Sequence, residues 1–216
     1  GYGTVKTRRE TNWQTAIPSR IAGETVEITA DELHAKAVQI EADKDFKLTV
    51  RNKLYLDDQA LTGSESFKQV GKTATFSLGK GGFGISGSRQ VAESNSETVD
   101  HILSRIIAGE TVTITVGEDA KMNAVVKAPG VKVKVAGKLL ISTVQDTGLG
   151  SSTRKSINGG VSVTSGGVMP SGGFQYGNGK WTRAWAEEQA GFFGEHLEID
   201  VNDLILDAAV IAGKSG

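Results

Sequence analysis

The chain has no cysteine among its 216 residues, so structural disulfides and thiolate metal sites are excluded. It lacks a charge excess of either sign: 24 basic residues face 25 acidic ones, for a formal net charge of -1. No overall field therefore points to nucleic acid or to an anionic membrane surface. No apolar run approaches the ~20 residues that a spanning helix needs. The opening GYGTVKTRRE has no apolar core of the kind a signal peptide carries. Proline is scarce, at three residues.

Glycine is abundant, at 28 residues, and Val, Ile, Thr and Ser recur at alternating positions. That composition belongs to short strands and tight turns. The clearest regularity is a phrase written twice. IAGETVEITA begins at Ile21 and IAGETVTITV begins at Ile107, 86 positions later. Within and after the first copy, apolar residues alternate with polar ones at Val26 and Ile28, Val38 and Ile40, Phe46, Leu48 and Val50, and Leu54 and Leu56. Period two over three to five residues marks a half-buried strand. Polar turn residues, such as Asp43-Lys44-Asp45 and Arg51-Asn52-Lys53, separate these runs.

The strands also recur at a fixed distance. Val26 and Ile28 return as Phe46 and Leu48, 20 residues on, and Leu33 returns as Leu54, 21 residues on. Val131, Val133 and Val135 take the places of Phe46, Leu48 and Val50 in the second copy. Leu197, Ile199 and Val201 begin a third. A repeat of ~20 residues made only of strands and turns predicts an all-β solenoid, each strand stacked ~4.8 Å from its equivalent in the preceding turn. No single turn buries its own apolar face; a stack does. Five or so turns give a rod of about 25 Å. We expect repeats near 21–62, 107–146 and 192–213.

Two glycine-dense inserts separate the repeats, near 63–104 and 147–191. Their alternating flanks suggest one or two β-hairpins each; a disordered glycine-rich loop is the alternative. In NSETVDHILSRI, Val99, Ile102, Leu103 and Ile106 fall at helical spacing, which predicts a short helix there.

Catalytic signals are weak. Gly82–Gly87 spells G-x-G-x-x-G inside a β-rich insert, without the strand–helix frame of a dinucleotide site. Gly150–Ser156 lacks the glycine a phosphate loop needs before Lys155. His34, His101 and His196 are far apart, with no metal-ligand or triad spacing. The pairs Asp57-Asp58 and Glu187-Glu188 are adjacent, so in a strand they point to opposite faces. No catalytic, cofactor or metal residues are expected. The aromatic set Phe174, Tyr176, Trp181, Trp185, Phe192 and Phe193 stands out. Phe174, Tyr176, Trp181 and Trp185 are the candidates for a surface contact patch; packing of these rings inside the protein is the more conservative reading.

LISTVQDTGLGSSTRKSINGGVSVTSGG, followed by the glycine-rich stretch and then by EEQAGFFG, EIDV and LDAAVIA, resembles the haemagglutinin-repeat region of filamentous haemagglutinin and contact-dependent growth inhibition exoproteins. The resemblance spans nearly the whole chain and is strongest over Lys138–Gly213. It implies a right-handed parallel β-helix with hairpin inserts, forming one internal segment (1–216) of a large Gram-negative exoprotein. It also implies two-partner secretion through an outer-membrane pore and a secreted or cell-surface location. The expected function is a non-enzymatic stalk or adhesive surface that contacts a host cell or a target bacterium's outer membrane, for adhesion or toxin delivery. Cofactors, nucleic-acid partners and a transmembrane segment are not expected. A carbohydrate-active β-helix enzyme such as a polysaccharide lyase is the alternative, and a small-molecule binder ranks last.

Overall fold

The computed structural model describes residues 1–213. These residues are strands and connections, without helix. A long strand, β1 (Tyr2–Trp13), comes first. Two trios of short strands follow: β2 (Arg20–Gly23), β3 (Val26–Ala30) and β4 (Leu33–Lys36), then β5 (Gln39–Ala42), β6 (Asp45–Val50) and β7 (Leu54–Asp57). The 21-residue strands β8 (Gln59–Gly79) and β9 (Gly82–Ile102) are joined by a turn at Lys80-Gly81. A third trio comprises β10 (Ser104–Ala108), β11 (Thr111–Val116) and β12 (Ala120–Met122). β13 (Ala124–Lys127) and the longer β14 (Gly130–Ser142) follow. A second hairpin joins β15 (Asp146–Thr164) and β16 (Gly167–Trp185) through Ser165-Gly166. The described chain closes with β17 (Gly191–Gly194), β18 (His196–Asp207) and β19 (Val210–Gly213).

These elements form two compact units. In the first, residues 15–61, 100–146 and 184–213 among those described, the short strands of each trio pair in parallel and in register with those of the next. One column of side chains runs Val26–Phe46–Val112–Val131–Leu197, and the next runs Ile28–Leu48–Ile114–Val133–Ile199. A third runs Leu33–Leu54–Ala120–Leu139–Leu204. A separate six-stranded parallel sheet stacks Ile21, Ile40, Ile106, Val126, Phe192 and Ile211. β14 and β18 each contribute to two series of strands, with a register shift between Val135 and Lys138. The inward residues of the middle trios are completely enclosed: Phe46, Leu48, Ile106, Ile114 and Leu139 are at most 1 % exposed. Those of the outermost strands, Ile28, Leu33, Ile199 and Val201, are only partly buried. Each apolar face is thus covered by both of its neighbours in the column.

Outward positions carry ion pairs between successive strands: Lys44–Glu24, Lys47–Glu27 and Arg51–Asp31 on one side, Lys132–Glu198 and Lys134–Asp200 on the other. Exposed as they are, each is worth at most ~1 kcal/mol. Their value is registration, because a slip of one residue would turn the whole apolar set outward.

The second unit, residues 1–14, 62–99 and 147–183, is a single five-stranded antiparallel sheet in the order β1-β8-β9-β15-β16. Each insert is one ordered hairpin, and the two hairpins pair edge to edge through β9 and β15 from Gly82↔Thr164 to Val99↔Thr147. The helix expected around 95–106 does not form. β9 continues through Ile102 and β10 starts at Ser104, with the apolar residues on either side of a corner. Short apolar runs fit both periods, and here the cross-strand hydrogen bonds to β15, together with the β-branched Thr98, Val99 and Ile102, select the strand.

Candidate contact surface

Successive side chains of a strand point to opposite faces, so the four aromatic candidates on β16 divide. Phe174 and Tyr176 share one face of the antiparallel sheet, and Trp181 lies on the other. The contacts to β15 fix the register. Lys155 Nζ stands 5.6 Å from the centre of the Tyr176 ring, and Trp181 lies over Gly150, whose Cβ, were there one, would fall 2.2 Å from the indole. The guanidinium of Arg183 covers Trp181 at 5.4 Å. β16 is a sheet edge. Phe174 is 65 % exposed and Tyr176 55 %, whereas Trp185, at the strand's end, is half-buried. Phe192 belongs to the apolar core, and Phe193 packs under Lys127 Nζ at 5.4 Å.

Further rings went unremarked in the sequence. Trp13 on β1 lies across Gly63 on β8 just as Trp181 lies across Gly150. Gly63 and Gly150 each occupy the fifth position of their hairpin's outgoing strand. A glycine at that equivalent place in both inserts was the available signal. Phe76, Leu78, Phe83, Ile85, Val161 and Val168, around the two hairpin turns, are exposed as well.

Several of the titratable side chains are engaged in structural contacts. Asp58, between β7 and β8, accepts from His101 Nδ1 at 2.5 Å and from Asn123 Nδ2 at 2.9 Å. The Ser142 hydroxyl donates to Asn123 Oδ1 at 2.6 Å, and Asp146 accepts the His101 backbone N–H at 2.6 Å. Burial disfavours the Asp58 carboxylate, but the hydrogen bonds from His101 and Asn123 outweigh it and hold its pKa below the ordinary value. The neighbouring Asp57 turns instead to Lys121 Nζ at 3.0 Å, so the two carboxylates do not share a site. The Ser104 hydroxyl donates to the Asp57 carbonyl rather than facing His101. His34 stacks on Tyr55 at 4.4 Å, and His196 is exposed at the start of β18. Glu188 binds Arg105 and Lys127. Gly82–Gly87 opens strand β9 and Gly150–Ser156 lies within β15, so neither forms a loop that leads into a helix. Among the described residues, no three of His, Asp or Glu gather as a metal site, and no helix is long and apolar enough to cross a membrane.

The hemagglutinin repeat, as a family model, matches residues 1–160. That match spans about three quarters of the chain. A protein of Yersinia mollaretii named tRNA nuclease CdiA is 32 % identical over 153 residues. That alignment takes in 65 % of this chain and only 5 % of that protein. No solved structure matches the chain.

Proposed function

Because the chain belongs to the hemagglutinin-repeat family, we propose that it is a non-enzymatic stalk and contact segment of a secreted bacterial surface exoprotein. Its parallel stacks are read as successive turns of a right-handed β-helix, with repeats near 21–62, 107–146 and 192–213 and hairpin inserts near 63–104 and 147–191. The observation that carries this reading is the unbroken register of columns such as Ile28–Leu48–Ile114–Val133–Ile199, maintained although two long hairpins interrupt the chain. A stack of that kind extends by adding turns, which suits a stiff spacer. The hairpins supply surface, and Phe174, Tyr176, Trp181 and Trp185 are the residues we assign to contact.

The similarity to CdiA supports an origin in a much longer chain, of which this segment is a small part. The nuclease in that protein's name is not transferred here, since so little of that protein is matched. Export through a dedicated outer-membrane pore would belong to the parent protein. The partner surface is a host cell or the outer membrane of a target bacterium, serving adhesion or toxin delivery.

The test is binding of the purified, fluorescently labelled chain to isolated Gram-negative outer membranes and, in parallel, to epithelial cells. Saturable binding to outer membranes is the expected result and favours target engagement between bacteria; binding to epithelial cells alone favours an adhesin. Binding to neither would overturn the contact role.

A further inference from the structure

We infer that the tip of the antiparallel sheet inserts shallowly into an anionic phospholipid surface, through the face that carries Phe76, Leu78, Phe83 and Ile85. This deepens the contact reading above and rests on it. The cross-strand partners Ile85↔Val161, Phe83↔Val163, Arg89↔Ile157 and Val91↔Lys155 establish the face. The tight turns extend it in both directions. The contacts Thr73–Ser88 and Lys68–Glu93 set Phe76 opposite Ile85 and Leu78 opposite Phe83. The Lys155–Tyr176 and Gly150–Trp181 contacts set Val168 opposite Val163 and Phe174 opposite Ile157.

Residues on this face fall into bands across the strands. Nearest the turns is Leu78–Phe83–Val163–Val168, then Phe76–Ile85–Val161–Pro170. Leu78 is 76 % exposed. The next band, Ala74–Gly87–Gly159–Gly172, is small, with the exposed Tyr2 beside it on β1. Behind it lie Lys72 and Arg89 with Phe174, and then Lys6 and Lys155 with Tyr176. Lys68, Arg89, Glu93, Thr153 and Lys155, with Val70, Val91 and Ile157, line a shallow concavity there. Among the described residues, Lys6, Lys72 and Arg89 have no ion-pair partner. Glu93, the carboxylate of this region, is matched by Lys68 at 2.6 Å. The opposite face near the turns carries Thr75, Ser77, Ser86, Ser162 and Ser171, with Met169 as its apolar exception.

This order is that of a lipid interface: apolar first, aromatic at the edges, cationic behind. Same-face bands are about 6.7 Å apart, so the two apolar bands give an insertion depth of roughly 5–10 Å. A spanning strand needs ~9–11 residues with lipid-facing apolar side chains throughout. The glycine and cationic bands interrupt that pattern, so the sheet sits in one leaflet and does not cross.

The experiment is flotation of the purified chain with phosphatidylcholine vesicles, with and without phosphatidylglycerol. The expected result is binding at least about tenfold tighter with the anionic lipid. Leu78→Asn with Phe83→Asn should weaken it by roughly tenfold or more. Lys72→Gln with Arg89→Gln should remove the anionic preference. Circular dichroism controls for folding, since all four side chains lie on the sheet's surface. A bimane fluorophore on Phe83→Cys, the one thiol in this otherwise cysteine-free chain, should be quenched by a nitroxide high on the acyl chain and not by one at its end. Absent vesicle binding, quenching by the deep label, or a dimer that Leu78→Asn with Phe83→Asn dissociates while vesicles are ignored would each overturn the inference. Outer-membrane or cell binding without vesicle binding would sink it and leave the contact function standing. Vesicle binding without either would do the reverse.

Discussion

A Cβ placed on Gly109 would come within 2.0 Å of the carbonyl oxygen of Asp43, one trio earlier in the stack. The corner backbones are themselves hydrogen-bonded: Lys44 N–H to the Glu24 carbonyl at 2.8 Å, Glu110 N–H to that of Lys44 at 2.8 Å, and Gly130 N–H to that of Glu110 at 2.9 Å. The strands pack so closely at this bend that Gly109 has no room for a side chain. Gly23 holds the same place in the first copy of the repeated phrase. It has no earlier trio against it, and its nearest neighbour to a Cβ would be Val26 Cγ2 at 3.5 Å.

Gly109→Ala should therefore cost about 3 kcal/mol or more, and Gly23→Ala no more than ~0.5 kcal/mol. Urea unfolding of the two variants checks this. Equal losses would show that the glycine serves the turn's own conformation rather than the close approach.

The columns predict a graded core. Ile114 has an apolar neighbour on each side, Leu48 and Val133, and is completely enclosed. Ile28 stacks on Leu48 alone and is partly buried. Ile114→Ala should cost about 2–5 kcal/mol. Ile28→Ala should cost clearly less. Thermal melts of both variants measure the difference.

Asp58 makes stability depend on acid. Its folded pKa lies below the ordinary carboxylate value, so its contribution is complete above pH ~4 and is lost as pH falls through the folded pKa. The Asp58→Asn variant should be less stable than the parent at neutral pH and lose less of its remaining stability between neutral and strongly acidic conditions. Melting temperatures across that range test it; parallel curves for the two proteins would contradict the assignment.

Trp181 rests on bare backbone at Gly150. In a Trp13→Phe, Trp185→Phe background, Gly150→Val should push the indole off the sheet and shift its fluorescence emission to the red. Unchanged emission would mean that the ring finds another packed position.

Alternation and spacing made the stacked strands legible before any coordinates. Val26 and Phe46 are column neighbours because their period-two pattern recurs at the length of one trio, and Val131 stands in the same column beyond Val112. The antiparallel sheet was much less legible. β1 is exposed along its whole length, so no apolar alternation announces it, and its pairing with β8 joins residues about 60 positions apart. The expected helix near Val99 failed for a related reason: a short apolar run is compatible with two periods until a partner strand selects one.

The amino-acid sequence by itself determined which side chains alternate and where the corners need small residues. Those are local properties of neighbouring residues. Only the tertiary structure decided that the two inserts pair with each other, which set Phe83 and Ile85 beside Val163 and Val161 and placed an apolar tip ahead of Lys72 and Arg89. A net charge of -1 is a sum and carries no direction. Strand pairing across the sheet is what gathers the cations on one face, and that pairing is nonlocal.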